Sequence, residues 1–201
     1  MSQDNTSQAS PPPDAPQQDA GGDPDIRQQV DQSRGFQKKL ELLVPGLRGY
    51  RSREDIRVAD DMLRNQVADK LDLAKANLEA LRKQMVSAGD FTNLSTVGSL
   101  IFEMQGLSGQ VRHAQQGYSG FVASISVNEP QLNKLYEYDY NFVNSAVQLL
   151  NATSPQNLMY DPTAPASILP KVSAISSAEA VLKQNWSVRM EAVENILVKG
   201  Q

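Results

Sequence analysis

The chain has no cysteine, one histidine (His113) and one tryptophan (Trp186), and aromatic residues make up only 6% of its 201 residues. Without cysteine there is no disulfide framework, thiol nucleophile or zinc finger. A single histidine removes every site built on paired histidines. The di-iron pattern of helical bundles needs Glu-x-x-His on two helices. Here position 110, three before His113, is Gln110. His113 and Met104 are nine residues apart and fall on opposite sides of a helix, which argues against a haem-ligand pair. No apolar run approaches the roughly 18–20 residues of a membrane span. The N-terminus has no basic segment followed by an apolar one, so no secretory leader is expected. No Walker pattern and no Gly-x-Gly-x-x-Gly after a strand is present.

Charge is small in sum and uneven in distribution. The net charge is −4, from 19 Lys+Arg against 23 Asp+Glu. Residues 1–33 hold six Asp and one Arg, whereas residues 34–64 hold eight Lys/Arg and five Asp/Glu. An acidic leader thus precedes a basic collar, and the remaining body is close to neutral. That balance gives no steering toward nucleic acid.

Residues 1–25 contain five of the eleven prolines and no Leu, Ile, Val or aromatic residue. Such a segment buries too little apolar surface to offset its ordering entropy, so a disordered acidic tail is expected. Residues 26–201 are expected to form one helical domain. Ile26, Val30, Phe36, Leu40, Leu43 and Val44 recur at helical spacing and predict a short first helix that ends at Pro45-Gly46. Ser52 with Asp55 resembles a capping box. From there Ile56, Ala59, Leu63, Val67, Leu71, Ala74, Leu78, Leu81 and Met85 predict one helix of about 35 residues, or about 50 Å.

Asp90 to Asn93 supply turn and cap residues. Leu94, Val97, Ile101, Met104, Leu107 and Val111 then predict the next helix. Gly98, Gly106 and Gly109 lie inside it, where each costs up to about 1 kcal/mol relative to Ala but lets a neighbouring helix come close. Asn128 and Pro130 open a helix carrying Leu132, Leu135, Tyr136, Phe142, Val143, Ala146, Leu149 and Leu150. Four prolines over 152–170 predict a long irregular connection. A second capping box, Ser176 to Glu179, predicts the start of the last helix. The fold class is therefore all-α: an elongated antiparallel four-helix bundle with a short N-terminal helix and a disordered tail.

Two places stand out as candidate sites. The first is the corner Arg48, Gly49, Tyr50, Arg51, Arg53 and Arg57, opposed by Glu54, Asp55, Asp60 and Asp61. It reads either as an anion- or partner-binding corner or as a structural one pinned by ion pairs. The second is Asp139 with Tyr136 and Tyr140. A carboxylate on a core stripe needs hydrogen bonds or a cationic partner. It reads as a polar pocket or as a buried pair with an arginine of another helix.

The stretch LLVPGLRGYRSREDIRVADDMLR, Leu42 to Arg64, resembles a family of uncharacterised bacterial and archaeal helical proteins. Pro45, Gly46, Gly49, Tyr50, Arg53, Glu54, Arg57 and Asp60 carry the likeness, and Leu47 departs from a usual aromatic. The resemblance implies an all-α bundle and transfers no activity. Some relatives carry zinc ribbons, but without cysteine no metal site carries over.

No constellation of catalytic residues is evident, and no cofactor is implied. The expected function is a non-catalytic interaction or scaffold bundle with a protein partner, in the cytoplasm. One alternative is a peripheral membrane-associated accessory protein that uses the basic 36–57 segment. A further alternative is a small-molecule sensor or enzyme with a pocket near Asp139.

Overall fold

The computed structural model describes residues 26–47, 49, 53–114 and 129–195. The expected tail, the caps Ser52 and Asn128, and corner residues Arg48, Tyr50 and Arg51 lie outside the described residues. Five α-helices are present: α1 (Ile26–Leu43), α2 (Arg53–Ser87), α3 (Leu94–His113), α4 (Glu129–Ala152) and α5 (Ile168–Glu194), with a 3-10 turn at Pro165–Ser167. There is no strand among the described residues.

The long helix forms as its sequence demands. All nine apolar positions that define its stripe, from Ile56 to Met85, are buried. Spacings of three and four put them on one face, and no glycine or proline interrupts them. Gly89 ends the helix at φ +74, a conformation open to glycine because it has no Cβ. There Asp90 N–H donates to Met85 O at 3.0 Å and Gly89 N–H to Val86 O at 3.0 Å, which satisfies the last carbonyls. At the start of α3, Asn93 makes no side-chain cap. Asp90 accepts the Thr92 N–H instead, at 3.0 Å.

A short turn over 88–93 makes α2–α3 an antiparallel hairpin, the longer expected connection over 153–167 makes α4–α5 another, and α2 packs against α4 between them. Both connections fall at one end of the bundle. Tyr160 Oη, after α4, donates to Asp90 Oδ2, before α3, at 2.8 Å. α1 lies on α4, with Phe36 5.5 Å from Tyr140. Leu40, Val44 and Leu47 are buried beneath it.

The last helix corrects the sequence reading. It begins at Ile168, eight residues before the expected capping box. Pro170 sits in its first turn, where a missing N–H has no acceptor to disappoint. Ser177 Oγ bonds back to Ser173 O at 3.0 Å, so the serine pair lies within the helix rather than capping it.

Candidate functional site

The two places singled out in the sequence converge in space. Gly49 lies against Tyr136: a Cβ added at Gly49 would fall 3.4 Å from the tyrosine Oη and 2.8 Å from Gln37 Nε2. Two helical turns into α2 the charges meet as well. Arg189 of α5, 2% exposed, reaches Asp139 of α4, 1% exposed, through Nε to Oδ1 at 2.6 Å. Its Nη1 lies 2.7 Å from Asp60 Oδ1 of α2. Asp60 also accepts from Arg64 Nε at 2.8 Å. Arg64 Nη2 bonds Asp61 at the rim. Arg64 Nη1 donates to Arg112 O at 3.3 Å and Ala114 O at 3.1 Å, carbonyls at the end of α3.

Two buried arginines and two buried aspartates thus neutralise one another, and the network ties α2, α3, α4 and α5 together. The guanidinium of Arg189 also stacks 5.6 Å from the Phe142 ring centre, and that ring lies 5.1 Å from Trp186. Charges taken this far from water persist only when matched in sign and geometry. Among the remaining sequence candidates, Tyr136 is buried and Tyr140 half-buried. Tyr140 stacks with Phe36 under Lys39, whose Nζ lies 5.7 Å from the Tyr140 ring centre. Arg53 opens α2, and Arg57 is exposed.

Arg189, Arg64 and Glu179 are buried charges that the sequence reading did not single out. A signal for two of them was present. Ile168, Val172, Ile175, Glu179, Leu182, Trp186, Arg189 and Val193 alternate spacings of four and three without a break. Glu179 and Arg189 occupy core positions of that repeat, where a charge requires a partner.

The outward face of α3 is a second feature of interest. Ser95, Gly98, Phe102, Gly106 and Gly109 fall within an arc of about 80° at 100° per residue. The arc is opposite the buried Val97, Leu100, Met104, Leu107 and Val111. Phe102 is 77% exposed. A Cβ at Gly98, Gly106 or Gly109 would meet nothing within 4 Å. The neighbouring helix that these glycines could admit is therefore not one of the described helices. The two charged residues of α3 are committed elsewhere: Glu103 pairs with Lys183 at 3.1 Å, and Arg112 with Asp69 at 2.9 Å and Asp72 at 2.8 Å. Hydrogen bonding to Asp69 raises the Arg112 pKa, against a smaller lowering by burial.

A recess of about 230 Å³ lies beside the bundle's turn end, between Asn77, Leu81 and Gln84 of α2 and Leu158, Met159 and Tyr160. No helix among the described residues is long and apolar enough to cross a membrane. Comparison of the chain with protein-family models, with curated proteins and with solved structures finds no match.

Proposed function

We propose that this chain is a non-catalytic interaction bundle that offers the outer face of α3 to a helix of a protein partner. The observation that carries the reading is Phe102, exposed and flanked by Gly98 and Gly106 one turn away on either side. Three glycines inside one helix lower its stability by up to about 1 kcal/mol each. No described residue occupies the space they leave. A second helix laid along the stripe would approach closely, since interaxial distance depends on side-chain size at the contact. Phe102 would be its central apolar anchor. The buried charges around Arg189 serve the same end by holding the four long helices in register.

The cytoplasmic setting and the kinship of Leu42 to Arg64 with helical-bundle proteins belong to this reading and add no activity to it. The membrane-surface alternative has one observation in its favour. Leu42 is 83% exposed beside exposed Lys38 and Lys39. It has little more to insert, since Leu40 and Val44 are already buried and Phe36 packs on Tyr140.

The test is a photoreactive phenylalanine analogue placed at position 102 in living cells, with a control at exposed Glu79 of α2. A discrete crosslinked species is expected from position 102 only, and Gly106→Leu in a folded chain should abolish it. The same pattern from both positions, or indifference to Gly106→Leu, would defeat the reading.

A further inference from the structure

Glu179 lies in the interior of α5 and is 1% exposed. Residues 140–160, the second half of α4 and the start of the connection after it, contain no Asp, Glu, Lys, Arg or His, and Asp139 before them is taken by Arg189. α3 contributes Glu103, and α5 itself contributes Lys183. Lys183 Nζ donates its hydrogen bond to Glu103 Oε2 at 3.1 Å. It stands 3.1 Å from Glu179 Oε1 as an ion pair outside hydrogen-bonding geometry. One ammonium therefore serves two carboxylates, and the buried one has the poorer share. The cluster sits where α3 and α5 meet, a far sparser contact than either hairpin makes.

We propose that Glu179 is a proton-operated latch on the seam between α3 and α5. With its carboxyl neutral, α5 seats against α3 and Lys183 is left to Glu103. With the carboxylate charged, a buried anion whose Oε1 accepts no hydrogen bond, and which shares its one cation with Glu103, pushes the seam open. The physical setting supports this direction. Burial raises the Glu179 pKa above its ordinary value, Lys183 pulls it down, and the Glu103 carboxylate raises it again, with a net upward result. For Lys183, burial lowers the pKa, but the hydrogen bond to Glu103 and the attraction of both carboxylates outweigh it and the net result is a rise. A folded state that binds the proton more tightly than the unfolded chain is favoured by it. The added stability is full below the ordinary glutamate range and is lost as pH rises through the raised value. The latch stands on this cluster alone and does not require the docking role of α3.

Amide hydrogen exchange on the full chain, corrected for intrinsic rates, tests it at about pH 5 and about pH 8. Wild-type amides of 97–107 and 172–186 should be about tenfold better protected at the acid end. Glu179→Gln should show that higher protection at both pH values. A wild type without the difference, or a Glu179→Gln chain that keeps it, would overturn the proposal. If Glu179→Gln does not fold, Lys183→Met decides. Removing the cation should move the protection midpoint to higher pH, and an unmoved midpoint overturns the latch.

Discussion

Replacing Gly98, Gly106 and Gly109 together by alanine should make the isolated chain more stable. All three lie inside α3, none has a positive φ, and a Cβ at each meets open space. The substitution therefore adds no clash and breaks no turn. It removes the extra backbone freedom that glycine gives the unfolded chain, which is worth about 0.5–1 kcal/mol per site in a helix. Gly109 is four residues from the end of the helix and should give the least. The sum is about 1.5–3 kcal/mol, or a Tm rise of roughly 4–10 °C for a chain of this size. Urea unfolding should show a higher midpoint with an unchanged slope. The same variant should lose the crosslink at position 102 if three methyl groups hold a partner helix away. A stability loss would mean that some atom does occupy the glycine side of α3. A gain with the crosslink intact would separate the glycines from docking.

Further outcomes follow from the network and the turns. Arg189→Met leaves Asp60 and Asp139 without their shared cation and should cost about 3–5 kcal/mol by urea unfolding. Asp139→Asn, which leaves Arg189 its contact with Asp60, should cost less, and equal costs would refute the sharing. Gly49→Ala should destabilise by up to about 1 kcal/mol because the new methyl meets Gln37 and the Tyr136 hydroxyl. Adding Gln37→Ala should recover much of the loss, and no recovery would place the strain elsewhere. Burial, then the hydrogen bond to Asp90, raises the Tyr160 pKa. Asp90→Asn should therefore move one phenol to lower pH in an ultraviolet titration, and an unmoved curve would mean the bond does not form in solution. The sign is that of a group favouring its protonated folded form, so its contribution is lost only as pH rises through the raised value.

The helices were legible because period and burial coincide. The stripe from Ile56 to Met85 gave the length of α2, and its nine members are all in the core. The start of α5 was not legible, because a proline-rich stretch and a capping-box pattern both pointed to a later origin. Pro170 is harmless only because it falls within a first turn, and that depends on where the chain re-enters the bundle. Asp139 could be picked out as a carboxylate on an apolar stripe. Its partner could not, since Arg189 lies 50 residues away and many arginines were available. The three glycines of α3 could be seen as room for a neighbour, but which side of the helix they face is a property of the assembled bundle.

With the α2–α3 turn and the 153–167 connection at one pole, α3 ends and α4 begins at the other. Opening the chain within 115–128 would leave two helical hairpins, one carrying Asp60 and Arg64 and the other Asp139 and Arg189. Each half is balanced within itself, by Asp60 with Arg64 and by Asp139 with Arg189, and the ion pair between Arg189 Nη1 and Asp60 Oδ1 forms only when the two are correctly aligned. The bundle is in this sense a lock cut into two keyed halves, suited to split-protein reassembly in which a shift by one helical turn forfeits the buried Arg189–Asp60 pair.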